Sequence, residues 1–275
     1  MTEPTPSCAA AAREHGEPLA GTAAFATTWI FLEERGSWAP KALASGGLDS
    51  LRQTIQGWLT SAPNTRLQLI RRPRTADGAK GRQVFVAVAT GAAFDVRGER
   101  FTDASLTNLH LNALREACTP SEDPVEFICA HGKRDRCCAL YGVALYKALA
   151  GAAGEQWMTS HLGGHRFAPT LLHLPSGFCY GHLNADEPRA RPATSLRGRV
   201  CYPQDVQAAE LLLLAERAEN VRFMGRSEDG RMHFQANGED VWLRGEQPRA
   251  ALPRPLSCND EPKAPPTWHV SRVTP

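Results

Sequence analysis

No apolar run in this chain approaches the roughly 20 residues that a membrane-spanning helix requires. Its most apolar stretches, 23–32 and 211–215, are much shorter. The start, Met1-Thr-Glu-Pro-Thr-Pro-Ser-Cys8 followed by four alanines, lacks the basic and apolar regions of a secretory signal. The expectation is a soluble, cytoplasmic protein with no membrane partner. An excess of one charge is missing too. Thirty-one basic residues face twenty-nine acidic ones, a net charge of +2, with no long basic run interleaved with aromatics. That removes the electrostatic footprint of nucleic-acid binding. No Cys-x-x-Cys occurs, so the paired thiols of a thioredoxin-type thiol–disulfide oxidoreductase are absent. The vicinal Cys137-Cys138 pair is a poor substitute, because adjacent residues form only a strained disulfide.

With 42% hydrophobic and 22% charged residues over 275 positions, the chain has a globular composition and length enough for one large or two modest domains. Eight cysteines without an export signal point to a reducing compartment, where thiols serve metals or catalysis.

The pattern predicts an α/β fold in four stretches: an N-terminal tail over 1–20, a smaller α/β region over 21–121, a second domain over 122–250 and an extended, proline-rich tail over 251–275. In the first region a β-rich stretch over 22–33 precedes a helix over 50–60, with Asp49 as its N-cap and Leu51, Ile55 and Leu59 on one face. Strands are expected at 67–70 and 84–89. A helix capped by Asp103 would share Leu106, Leu109, Ala113 and Ala117 on one face and end before Pro120. Beyond 122, a strand over 125–130, a helix over 139–150 ended by Gly151 and a strand over 156–160 make a β-α-β start. A hairpin turning at Pro175-Ser176-Gly177 and a helix over 203–217 complete the order β-α-β-β-β-α, which can build a thioredoxin-like domain. Short strands follow at 221–225, 232–235 and 241–244.

Two segments carry the chemistry. Cys129-Ala-His-Gly-Lys-Arg-Asp-Arg-Cys137-Cys138 lies between strand and helix, and His161-Leu-Gly-Gly-His165 follows the next strand, so both fall at one end of the sheet. Thiolates with imidazoles suit zinc, copper or iron–sulfur centres, whereas calcium and magnesium want oxygen. Gly163 and Gly164 let the backbone turn tightly around a bulky ligand. Zinc competes, since two Cys and two His are a common structural zinc set. Against it, eight residues separate Cys129 from Cys138, where zinc knuckles place about two to four. A Rieske arrangement pairing Cys129 and His131 with Cys179 and His182 meets another objection. Cys179 and His182 fall in an expected strand and would face opposite ways.

The Cys-x-His-Gly-x-Arg-Asp-x-Cys-Cys segment followed by His-x-Gly-Gly-His resembles the sucrase/ferredoxin-like family. The resemblance covers mainly 124–217, with a weaker likeness around Gly21-Thr22-Ala23 and Trp29. It implies a thioredoxin-like ferredoxin domain with a 2Fe-2S cluster held by Cys129, Cys138, His161 and His165. Cys137 departs from the pattern of fungal members and leaves two neighbouring thiols for one ligand position, of which Cys138 has the matching offset from Asp135. Neutral imidazoles in place of two thiolates make such a cluster relatively oxidising. The implied function is one-electron transfer or redox sensing with proton coupling, between a donor and acceptor that remain unknown. Nothing supports sugar hydrolysis, for which no carboxylate pair stands out.

The other residues have plainer readings. Lys133, Arg134 and Arg136 are either a solvated charge run, with Asp135 paired to one of them, or a surface that offsets cluster charge and docks an acidic partner. His131 is a hydrogen-bond donor behind the ligands or part of that basic loop. Cys8, Cys118, Cys201 and Cys258 read as small packing residues or ordinary thiols.

Overall fold

The computed structural model describes residues 7–73, 80–150, 154–247, 253, 255–258, 260–264 and 267–274. Residues 1–6 of the expected N-terminal tail, parts of the proline-rich tail and the expected helix stop at Gly151 lie outside that set.

A short helix, α1 (Cys8–Glu14), starts where Ser7 Oγ accepts the Ala10 N–H at 3.2 Å. The first β-α-β unit follows: β1 (Thr28–Glu33), α2 (Arg52–Ser61) and β2 (Thr65–Arg71), with β1 and β2 parallel. Every residue of β1 is buried, as an apolar run covered on both faces must be. α2 begins after a 3-10 turn over Gly46–Leu51. Asp49 therefore lies inside that turn and pairs with Arg52 instead of capping the helix. The antiparallel strands β3 (Arg82–Ala89) and β4 (Phe94–Phe101) come next. The single helix expected after Asp103 is two, α3 (Asp103–Leu106) and α4 (Leu111–Ala117). Thr102 caps α3 while Asp103 binds Arg82 at 2.6 Å. Trp58 Nε1 takes the Leu109 carbonyl at 2.7 Å, which a continuous helix would need for itself. The short β5 (Thr119–Pro120) ends the region.

The second unit is β6 (Val125–Cys129), α5 (Arg136–Ala148) and β7 (Glu155–Thr159), again with parallel strands. Three antiparallel strands, β8 (Leu171–Leu174), β9 (Phe178–Tyr180) and β10 (Leu196–Arg199), lead to α6 (Gln204–Ala215). A separate antiparallel sheet of β11 (Arg222–Arg226), β12 (Met232–Ala236), β13 (Glu239–Glu246) and β14 (His269–Arg272) follows.

Among the described residues the ten strands from β1 to β10 form one mixed sheet in the order β10-β9-β8-β6-β7-β2-β1-β3-β4-β5. The fold is therefore α/β. The boundary expected near 122 falls between β5 and β6, inside this sheet, where β2 and β7 pair antiparallel at Ile70–Thr159 and Arg71–Met158. Phe31 of β1 stacks on Phe127 of β6 with centroids 3.6 Å apart, so one core face runs through the seam. That face also takes Val206, Ala209 and Leu213 of α6. Ile128, on the other side of β6, packs with Leu145 of α5 and with Leu149 just past its end. No helix among the described residues is long and apolar enough to cross a membrane.

Candidate metal centre

Parallel β6 and β7 bring their carboxyl ends together, and such ends are where open α/β sheets leave room for ligands. Cys129 closes β6 and His161 follows β7 by one residue after Ser160. α5 starts at Arg136 rather than 139, because Asp135 is a side-chain N-cap, accepting the Cys137 N–H at 2.9 Å. Both Cys137 and Cys138 thus sit in the first helical turn, about 100° apart around its axis. They face different neighbours. α5 can lie this close to Cys129 because residue 142 is glycine, where a Cβ would fall 1.8 Å from the Cys129 carbonyl oxygen.

Cys129 Sγ is 3.8 Å and Cys138 Sγ 3.7 Å from His161 Nδ1. Donor atoms of these three residues all lie within 4.8 Å of one another, a group that can hold a metal ion. His165 stands one step further out, its Nδ1 3.3 Å from His161 Nε2 and its Nε2 3.9 Å from Asp135 Oδ2. The loop between the histidines turns through Gly164 at φ 69°, in the left-handed region that favours glycine, and a Cβ there would meet the Arg197 guanidinium at 2.4 Å. Arg197 is 1% exposed, and burial lowers its pKa, but its guanidinium is well hydrogen-bonded. It donates to Gly163 O at 2.9 Å, to Thr22 Oγ1 at 3.1 Å and to the Thr22 carbonyl, and touches Cys179 Sγ at 3.5 Å. A buried cation therefore clamps the histidine loop from behind.

The two thiols nearest His161 share their protons unequally. Cys129 ionises well below an ordinary thiol because Cys138 donates to it, with His161 helping against the cost of burial. The same hydrogen bond, and then burial, pushes Cys138 far up. Burial also lowers His165, and the neighbouring His161 adds to this while Asp135 opposes it. Asp135 is 1% exposed, and burial resists its ionisation. The Cys258 and Cys137 N–H groups outweigh that and hold the carboxyl below its usual range.

The remaining sequence candidates separate cleanly. His131 turns away from the sulfurs, its Nε2 2.9 Å from the Ala39 carbonyl and its ring edge-on to Trp38. Cys179 is buried against Arg197, while His182 lies edge-on to Phe167, so the two do not form a ligand pair. Cys118 and Cys201 are buried in separate hydrophobic clusters. Lys133, Arg134 and Arg136 are exposed, and Asp135 serves the helix start instead of pairing with them. Sequence reasoning missed Arg197, which sits in an unexpected strand. It also missed a second group, in which Cys137 meets Cys8, Cys258 and Asp135. An Asp directly before a helix is the signal that could have found the cap.

These features define an α/β protein whose sheet end gathers thiols and imidazoles into groups that can hold a metal ion. Residues 19–190 match the sucrase/ferredoxin-like family, well over half of the chain, and the protein belongs to that family. No curated protein and no solved structure matches it.

Proposed function

We propose that Cys129, Cys138, His161 and His165 hold one two-iron, two-sulfur cluster, and that the protein transfers single electrons or senses redox state with proton coupling. The observation that supports this most is the convergence of four donors of the right kind, two thiols and two imidazoles, from the end of β6, the first turn of α5 and the loop after β7. The donor set suits such a cluster, because paired thiolate and imidazole ligation is a known way of binding two irons. When bound, the cluster would take up and release one electron at a relatively high potential, since neutral imidazoles leave it nearly uncharged.

The chain's own residues do the rest. Cys129 is ready to bind as a thiolate. Arg197 holds the histidine loop and supplies buried positive charge. Asp135 faces His165 Nε2, where it favours a proton on that ring nitrogen. The order β9-β8-β6-β7, with β6 and β7 parallel and β8 antiparallel to β6, supports a thioredoxin-like reading of 122–250. Exposed Lys133, Arg134 and Arg136 beside the site suit an acidic redox partner. Eight unpaired cysteines suit a reducing compartment such as the cytoplasm.

A second reading has one observation in its favour. Three donors within 4.8 Å make a group of single-ion size, which suits a zinc ion at Cys129, Cys138 and His161. Iron and acid-labile sulfide analysis of anaerobically purified protein separates the two. About two of each per chain is expected, with a midpoint potential that falls by up to about 59 mV per pH unit when one proton accompanies the electron. Zinc bound by Cys129 and Cys138 without labile sulfide would move the assignment to the single ion.

A further inference from the structure

We infer that Cys8, Cys137 and Cys258, with the Asp135 carboxylate, form a second metal site that binds one zinc ion. The inference does not depend on what occupies the first site. Three thiols meet from three distant parts of the chain: the start of α1, the first turn of α5 and the segment before β14. Their Sγ atoms form a triangle with sides of 3.3, 3.5 and 3.6 Å. Tetrahedral zinc with legs of about 2.3 Å spaces its sulfurs about 3.8 Å apart, so an ion asks the three to spread by only a few tenths of an ångström. Both Asp135 oxygens lie 3.8 Å from Cys8 Sγ, in place for the fourth position.

The surroundings argue against a plain apolar contact. The hydrophobic cluster here is small, with Cys8, Ala9, Cys137 and Ala168 buried in it. Beyond its cap on α5, the Asp135 carboxylate is held at this spot by the Cys258 N–H at 2.9 Å and by Ser257 Oγ at 3.1 Å, contacts that a helix start does not need. Three thiolates and a carboxylate would leave a zinc site with excess negative charge. The N-terminus of the 13-residue α5 and the Arg136 guanidinium, which reaches Cys258, both offset it. A carboxylate among thiolates also favours zinc over copper(I), which prefers sulfur alone. Cys8 and Cys258 lie outside residues 19–190, so the site is not contained in the segment that defines the family.

The test is zinc binding to the full-length, reduced protein, read by metal analysis and zinc X-ray absorption. One zinc per chain with three sulfurs and one oxygen in its shell is the expected result. Cys8→Ser and Cys258→Ser should each lose that equivalent while leaving iron and visible absorption at the first site unchanged. A shell of two sulfurs with imidazole nitrogens would place zinc at the first site, and absence of any three-sulfur zinc would overturn the inference. So would a Cys137–Cys258 disulfide in protein purified anaerobically, seen as a mass lower by two hydrogens.

Discussion

The two sulfur groups are neighbours in the chain at Cys137 and Cys138 but differ in how they are assembled. The group at Cys138 draws on two loops of one β-α-β unit, so a short motif specifies it and the local fold suffices to gather it. The group at Cys137 takes one thiol from each of three remote segments, and only the completed tertiary structure brings them together. Adjacent thiols in one helical turn are thus committed to separate neighbourhoods, and it is the N-cap at Asp135 that sets the rotation dividing them.

The sharpest way to break this comparison is to remove one thiol at a time. Cys138→Ser should abolish bound iron and labile sulfide, a loss of tenfold or more on the order expected when a ligand disappears, whereas Cys137→Ser should keep both. Equal losses in the two variants, measured by iron and sulfide analysis, would mean that the helix turn does not separate their roles.

A second test compares the two β-α-β units. Gly142→Ala drives a Cβ into the Cys129 backbone, which cannot yield as a side chain can, and should destabilise the fold by about 3 kcal/mol. Gly57→Ala in α2 meets nothing within 4 Å and should stabilise by up to about 1 kcal/mol through helix propensity. Urea unfolding midpoints would check both signs.

A third test concerns His182, which packs beside the histidine loop and near α1. Phe167 of the histidine loop touches its ring, and the charge of Arg13 on α1 adds to burial in lowering its pKa to about 4. Its folded value is below the unfolded one, so the unfolded chain takes up the proton first as the pH falls. The contribution is present above about pH 6.5 and is lost between 6.5 and 4. His182→Asn tolerates the φ of 54° and should remove about 1–2 kcal/mol of that acid-side loss, an amount reduced for partial exposure. Identical stability curves for variant and wild type at pH 7 and 4.5 would contradict this.

Much of the first group was legible because its residues cluster in short, turn-rich segments between well-patterned strands. The strands β6, β7, β8 and β9 follow apolar runs that the eye finds easily. The start of α5 is hidden in the sequence because Arg136, Cys137 and Cys138 precede the alanine-rich stretch, and a side-chain cap decides where the helix begins. β4 escaped because Phe94-Asp-Val-Arg-Gly-Glu-Arg-Phe101 carries charges and a glycine, although its alternation suits a strand. Gly98 belongs there because the Phe85 ring from β3 covers it. β10, with Arg197, is four residues long and contains Gly198. The second thiol group left no local trace, since Cys8, Cys137 and Cys258 share neither a motif nor a spacing.

The seam between β2 and β7 changes what the N-terminal half contributes. Just past the paired backbone, the Ser160 N–H donates to the Leu69 carbonyl at 2.7 Å and Ser160 Oγ accepts the Leu69 N–H at 3.0 Å. Ser160 Oγ also donates to Gln68 Oε1 at 2.7 Å, one residue before His161. Without β2, the strand that delivers the histidines would be a bare edge of unpaired amides and carbonyls, the kind of surface that recruits strands from other molecules. The first half of the chain therefore covers the end of this edge nearest the histidines, through Met158, Thr159 and Ser160.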